Sequence, residues 1–190
     1  MRSPTFGECA LLEVYMKKNV GKVFEKQFEK SVPDYCLVHR LKDTAQSYNK
    51  SSNTKFTWQQ PCDYFLFDTI KRIFYCLELK TTKYKSMSFE DVDSDEKQNK
   101  MIHKHQILAL HKFSKFDNVT AGFIFNFRDE KNNMERTYFQ NINDFVVMCK
   151  EVNKSSFNEM DLLLNNAIKI NGNKKRVNYT WDIDELLKAQ

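Results

Sequence analysis

Two aromatic, β-favouring runs separated by four residues constrain this chain more than any other feature. The first covers residues 62–68 (Cys-Asp-Tyr-Phe-Leu-Phe-Asp) and the second residues 73–81 (Ile-Phe-Tyr-Cys-Leu-Glu-Leu-Lys-Thr). Both read as strands, and Thr69, Ile70, Lys71 and Arg72 would join them as a hairpin loop built around a type I turn. Pairing Asp68 with Ile73 sets Asp63 opposite Glu78. Directly opposed side chains share a face, with Cβ atoms roughly 4.5–5.5 Å apart. Lys80, two residues past Glu78, shares that face too. This face carries Phe67, Phe65, Phe74 and Cys76 at the turn end and Asp63, Glu78 and Lys80 at the open end. The other carries Tyr64, Leu66, Ile73, Tyr75, Leu77 and Leu79. A hairpin largely apolar on both faces belongs in the middle of a sheet covered by helices on both sides.

Two carboxylates so close repel by about 4 kcal/mol at an effective dielectric of about 20. Lys80 offsets part of this. A divalent cation would offset more, because hard ions such as Mg²⁺ take carboxylate oxygens. The plain alternative for a Glu-x-Lys on a strand is a cross-strand salt bridge.

The chain has 190 residues, enough for one domain with a sizeable core. Its formal charge of +5 is compatible with a polyanionic partner. The five cysteines, at 9, 36, 62, 76 and 149, are scattered and odd in number, as expected for reduced thiols in a cytoplasmic protein. No apolar run approaches the ~20 residues of a membrane span. Glu8 and Glu13 break the early apolar stretch that a secretory signal would need.

Along the chain, residues 1–16 form an extension of uncertain role, and 17–190 a single domain. Residues 17–31 are patterned as a helix, with Val20, Val23, Phe24, Gln27 and Phe28 at spacings of three and four and Glu25 and Glu29 beside the stripe. Residues 36–41 read as a short strand. Residues 43–60 form a polar loop or stalk. Around it, Lys42, Lys50 and Lys55 beside Tyr48, Phe56 and Trp58 suit a nucleic-acid backbone and its bases. The acidic run within 86–100 lacks calcium-loop spacing and reads as a solvated loop. Residues 102–116 read as a helix whose histidines make no zinc pattern. Strands at 120–127 and 136–140, helices at 142–152 and 157–167, a basic loop at 172–176 and a helix at 183–188 complete an α/β domain with a mixed central sheet flanked by helices.

Four segments in this order carry a resemblance: Gly21-Lys-Val-Phe-Glu25 in the first helix, Asp63 on a strand, Glu78-Leu-Lys80 on the next, and His103-Lys-His-Gln106 opening a helix. Together they resemble the RecU family of Holliday-junction resolvases, which are PD-(D/E)xK nucleases with a restriction-endonuclease-like core. The likeness runs from about residue 17 to 140. Two departures stand out. Cys62 precedes Asp63, with Pro61 one place earlier. The segment between the first helix and Asp63 differs from the basic stalk of chromosomal members and looks closer to phage or mobile-element relatives.

The resemblance implies a metal-dependent endonuclease that resolves four-way DNA junctions in recombination and repair. It implies Mg²⁺, or Mn²⁺, held by Asp63, Glu78, the backbone of Leu79 and Glu25. It implies catalytic roles for Glu25, Asp63, Glu78, Lys80 and Gln106, and phosphate contacts from Arg40, Lys42, Lys83, Lys85 and Lys104. It further implies a homodimer, since two matched cuts need two sites, and contact with a recombinase. The rivals are a flap, nicking or restriction-type nuclease of the same fold, and a non-catalytic DNA-binding, recombinase-modulating module.

Overall fold

The computed structural model describes residues 19–41, 60–94, 98–176 and 178–189. The expected extension at 1–16, Lys42 and the 43–59 part of the expected stalk lie outside these residues. Six strands form the main sheet: β1 (Cys36–Arg40), β2 (Tyr64–Asp68), β3 (Ile73–Thr82), β5 (Val119–Asp129), β6 (Met134–Asn141) and β8 (Ile168–Ile170), neighbours in that order. β3 and β5 run parallel and every other neighbouring pair runs antiparallel, so the sheet is mixed.

The β2–β3 hairpin has the expected register, from Asp68 opposite Ile73 to Tyr64 opposite Leu77. No glycine is needed at its turn because Asp68 organises it. Its Oδ1 accepts the amides of Ile70 (2.8 Å) and Lys71 (3.0 Å), its carbonyl accepts the Arg72 amide (2.8 Å), and Arg72 takes a positive φ of 60°. β3 is buried on both faces from Tyr75 to Leu79, as a strand next to a parallel neighbour should be.

The alternation along β2 and β3 divides the interior into two cores. Phe65, Phe74 and Cys76 face one core, with Ile107 and Leu110 of α2 (Lys104–Phe113) and Phe145 and Met148 of α3 (Ile142–Glu151). Tyr64, Leu66, Tyr75, Leu77 and Leu79 face the other, with Phe24 and Phe28 of α1 (Val20–Glu29) and Leu186 and Leu187 of α5 (Ile183–Lys188). Helices thus cover both sides of the sheet, as the two apolar faces of the hairpin require.

Three expectations change. Residues 172–176 are not a basic loop: β9 (Gly172–Lys175) pairs with β10 (Asn178–Trp181) as a two-stranded ribbon. Gly172 lies across from Trp181, and a Cβ there would come within 2.4 Å of the indole, so only glycine fits. The helix expected at 157–167 shrinks to α4 (Glu159–Leu164), because β7 (Ser156–Asn158) takes up the preceding residues to pair with β4 (Ser86–Ser88). Asn158 then caps α4 by accepting the Met160 and Asp161 amides. β4 also means that the acidic stretch is ordered where it begins, and Phe89 bridges to Ile102.

Asp68→Ala leaves two turn amides without their acceptor at a position 2% exposed. We expect a loss of about 1–3 kcal/mol in urea unfolding, with no change in the far-ultraviolet circular dichroism of the folded protein.

Candidate active site

Glu78 is 4% exposed and lies on the open end of β3. Three groups surround it. Lys80 Nζ is 3.0 Å from its Oε1. The Gln106 side-chain amide donates to the same oxygen. Asp63 raises its proton affinity through space. Burial is the largest influence and pushes the Glu78 carboxyl up to about 7, with Lys80 opposing and Asp63 assisting.

Asp63 sits just beyond the regular pairing. Its amide donates to the Leu77 carbonyl (3.1 Å), so the strict Asp63–Glu78 pair expected from the register is replaced by a shift of one residue. Its carboxylate still closes on β3, where Oδ2 accepts the Leu79 amide (2.8 Å). Leu79 therefore contributes an amide that anchors Asp63.

Gln106 reaches Glu78 because of how α2 begins. Its Oε1 accepts the His103 amide (3.0 Å), which directs the –NH₂ group at Glu78. Glu90 holds the same turn: Oε2 accepts the Lys104 amide (2.6 Å) and Oε1 meets His103 Nδ1 at 3.0 Å. The hydrogen bond to His103 holds the Glu90 carboxyl below the usual carboxylate range. The sequence pattern alone places Glu90 in a solvated acidic loop. Nothing in its spacing shows that a residue thirteen positions upstream caps this helix.

Glu25 acts on Glu78 only through space, raising its proton affinity less than Asp63 does. It pairs with Arg40 of β1, Nη2 to Oε2 at 2.6 Å, so a residue expected at the metal and one expected on DNA are engaged with each other. Among the described residues no group of three or more His, Cys, Asp or Glu side chains is arranged to hold a metal ion. Beside Asp63, hydrogen bonding to Cys76 and burial push the Cys62 thiol well above its ordinary range. The remaining donors are two carboxylates, an all-oxygen set. Mg²⁺ and Mn²⁺ accept such a set, because hard ions commonly bind one or two carboxylates and complete their shell with water and phosphate oxygens. Asp63 and Glu78 fit that role.

No protein-family model matches the chain. The uncharacterized protein YotM, derived from the SPbeta prophage of Bacillus subtilis (strain 168), is 32% identical over a 180-residue alignment covering 88% of this chain and 85% of that protein. The chain belongs to the family of this prophage protein. Among solved structures, the Holliday junction resolvase Hjc of the archaeal hyperthermophile Archaeoglobus fulgidus overlays on 78% of this chain and 93% of its own, at a TM-score of 0.47 and 11% identity.

The expected phosphate-contacting residues are dispersed in this member of the YotM family. Lys83 and Lys85 are exposed just past β3. Lys104 Nζ donates to the Ser94 carbonyl (3.0 Å). No helix among the described residues is long and apolar enough to cross a membrane.

Because burial raises the Glu78 carboxyl, the folded protein holds that proton at pH values where the unfolded chain has lost it. Stability from this group is therefore present below about pH 4.5 and declines as the pH rises to about 7. Without divalent ions, Glu78→Gln should remove that decline and gain on the order of 1–3 kcal/mol over wild type between pH 5 and 7.5. Urea titrations across this range read it directly, and parallel slopes for the two proteins would refute it.

Proposed function

We propose that the protein is a metal-dependent, structure-specific DNA endonuclease that hydrolyses phosphodiester bonds and resolves four-way junctions. The observation that carries this reading is the buried Glu78 carboxylate, shared by Lys80 and Gln106, with Asp63 anchored beside it. Burying a carboxylate next to a second one costs stability. Structure alone gains little from that arrangement, and a site that takes up a dication gains much. The order of elements, α1, β2, β3, α2 and β5 around the hairpin, agrees with the restriction-endonuclease-like core implied by the four sequence segments.

In this mechanism Asp63 and Glu78 would hold Mg²⁺ or Mn²⁺, which when bound supplies a water of lowered pKa and polarises the scissile phosphate. Lys80 serves two states. With Glu78 unliganded it balances the buried charge, and with DNA present it stabilises the negative charge that builds on the phosphate. Gln106 fixes the orientation of the Glu78 carboxylate from α2. Glu25 becomes available only when Arg40 releases it to a phosphate, which links DNA contact to completion of the site. Lys83 and Lys85, past the same strand, would meet the adjoining backbone. Two matched cuts across a junction call for two such sites, supplied by a C₂ homodimer.

A non-catalytic DNA-binding module is the second reading, and the Glu78–Lys80 ion pair favours it as a self-contained salt bridge. Labelled four-way junction, flap, nicked and linear duplexes incubated with Mg²⁺ or Mn²⁺ separate the readings. Junction cutting should exceed cutting of the others. Glu78→Gln and Asp63→Asn should lower it on the order of 10³-fold, and Lys80→Ala about 10²-fold, with DNA affinity retained. Mg²⁺ should raise the melting temperature of the wild type and not of Glu78→Gln. If no DNA structure is cut under either ion, the module reading stands.

A further inference from the structure

α1 is polar along two edges of opposite charge. At 3.6 residues per turn, Lys22, Lys26 and Lys30 form one ridge, and Glu25 and Glu29 form another beside it on the solvent-facing side of the helix. The acidic ridge is engaged with the sheet edge: Glu25 pairs with Arg40, and Glu29 Oε2 accepts the Tyr64 hydroxyl (3.4 Å). The basic ridge looks towards the β9–β10 ribbon. Between helix and ribbon lies a groove of about 390 Å³, lined in part by Lys26, Gln27, Lys30, Lys175, Asn178 and Thr180.

The walls of this groove are tied together. The Trp181 amide donates to Ser31 Oγ (2.9 Å), and that hydroxyl donates to the Gln27 carbonyl (2.6 Å). The Tyr179 ring stacks on Trp181 at 5.1 Å, and its hydroxyl donates to the Asn133 carbonyl (3.1 Å). The groove is therefore held open before any ligand arrives.

Its chemistry is that of an anion site. None of Lys26, Lys30 and Lys175 forms an ion pair among the described residues, and no carboxylate lines the groove. Gln27 is only 8% exposed, lines the groove, and its side-chain amide makes no hydrogen bond among the described residues. The polar atoms of that amide are not sealed from solvent, so an acceptor in the groove can meet them. Lysines with an amide and a hydroxyl are the groups that hold backbone phosphates. α1 packs on the Tyr64–Leu77 side of the sheet, whereas Glu78 lies on the Cys76 side. The groove and the carboxylates thus open on opposite sides.

We propose that this groove binds backbone phosphates of a DNA arm other than the one presented to Asp63 and Glu78. It thereby favours branched over linear DNA. The inference rests on the nuclease reading above for its ligand, and its test needs no cleavage. Fluorescence anisotropy in EDTA, across a salt series, would compare a labelled four-way junction with a linear duplex of the same arm sequence. Three proteins are needed: wild type, Lys26→Gln/Lys30→Gln/Lys175→Gln, and the control Lys112→Gln/Lys131→Gln/Lys169→Gln. All six lysines are exposed, so both variants should melt with the wild type.

On the junction, the groove variant should flatten the plot of log affinity against log salt by about 2–3, at about 0.9 per lost phosphate contact. The control should flatten it by less than about 1. On the linear duplex the two variants should coincide. Coincidence on the junction as well would overturn the inference and leave the cleavage reading intact. Equal loss by the groove variant on both substrates would overturn the assignment to a second arm. Failure of the wild type to bind either DNA would overturn the inference and the nuclease reading together.

Discussion

A carboxylate buried beside another carboxylate is the constraint around which this protein is arranged. Glu78 lies in a stretch of β3 buried on both faces, between the two cores. Water cannot stabilise its charge there, so neighbouring groups must. Lys80 reaches it from the same strand, Gln106 from the helix covering that face, and Asp63 is held close by the Leu79 amide. Removing any one of these would leave a buried polar group short of a partner. The start of α2, the open end of the hairpin and the ionic pair on β3 are therefore one interdependent unit.

That dependence explains the care with which α2 is anchored. Glu90 binds both His103 and the Lys104 amide, and Gln106 turns its oxygen to His103 so that only its nitrogen is left for Glu78. A glutamine free to flip would present an acceptor to a carboxylate. The cap at the helix start thus controls the chemistry one turn later.

The hairpin was legible in the sequence because the side-chain period of a strand is two and the loop length fixes register. Once Asp68 and Ile73 are paired, the faces of Phe65, Cys76, Leu77 and Glu78 follow, and the structure keeps all four. The slip at Asp63 was not legible, because it happens where the strand leaves its neighbour and a side-chain-to-amide bond takes over from the ladder. The role of Glu90 was hidden for a similar reason: a cap supplied from outside the helix has no fixed spacing. The β9–β10 ribbon escaped because Gly172-Asn-Lys-Lys has no strand-forming composition. The contact of Trp181 with Gly172, and the tether of Trp181 to Ser31, make it a ribbon.

α1 shows how one amphipathic helix can serve more than packing. Phe24 and Phe28 fix it to the sheet, and this alone would leave its flanks indifferent. Instead the glutamates are bound to the edge that leads towards Asp63, while the lysines are left without carboxylate partners beside the ribbon. Lys22 and Lys26 each stand three residues before a glutamate and could pair with it, yet Glu25 and Glu29 are turned to Arg40 and Tyr64. The cations are thereby left available to something outside the chain.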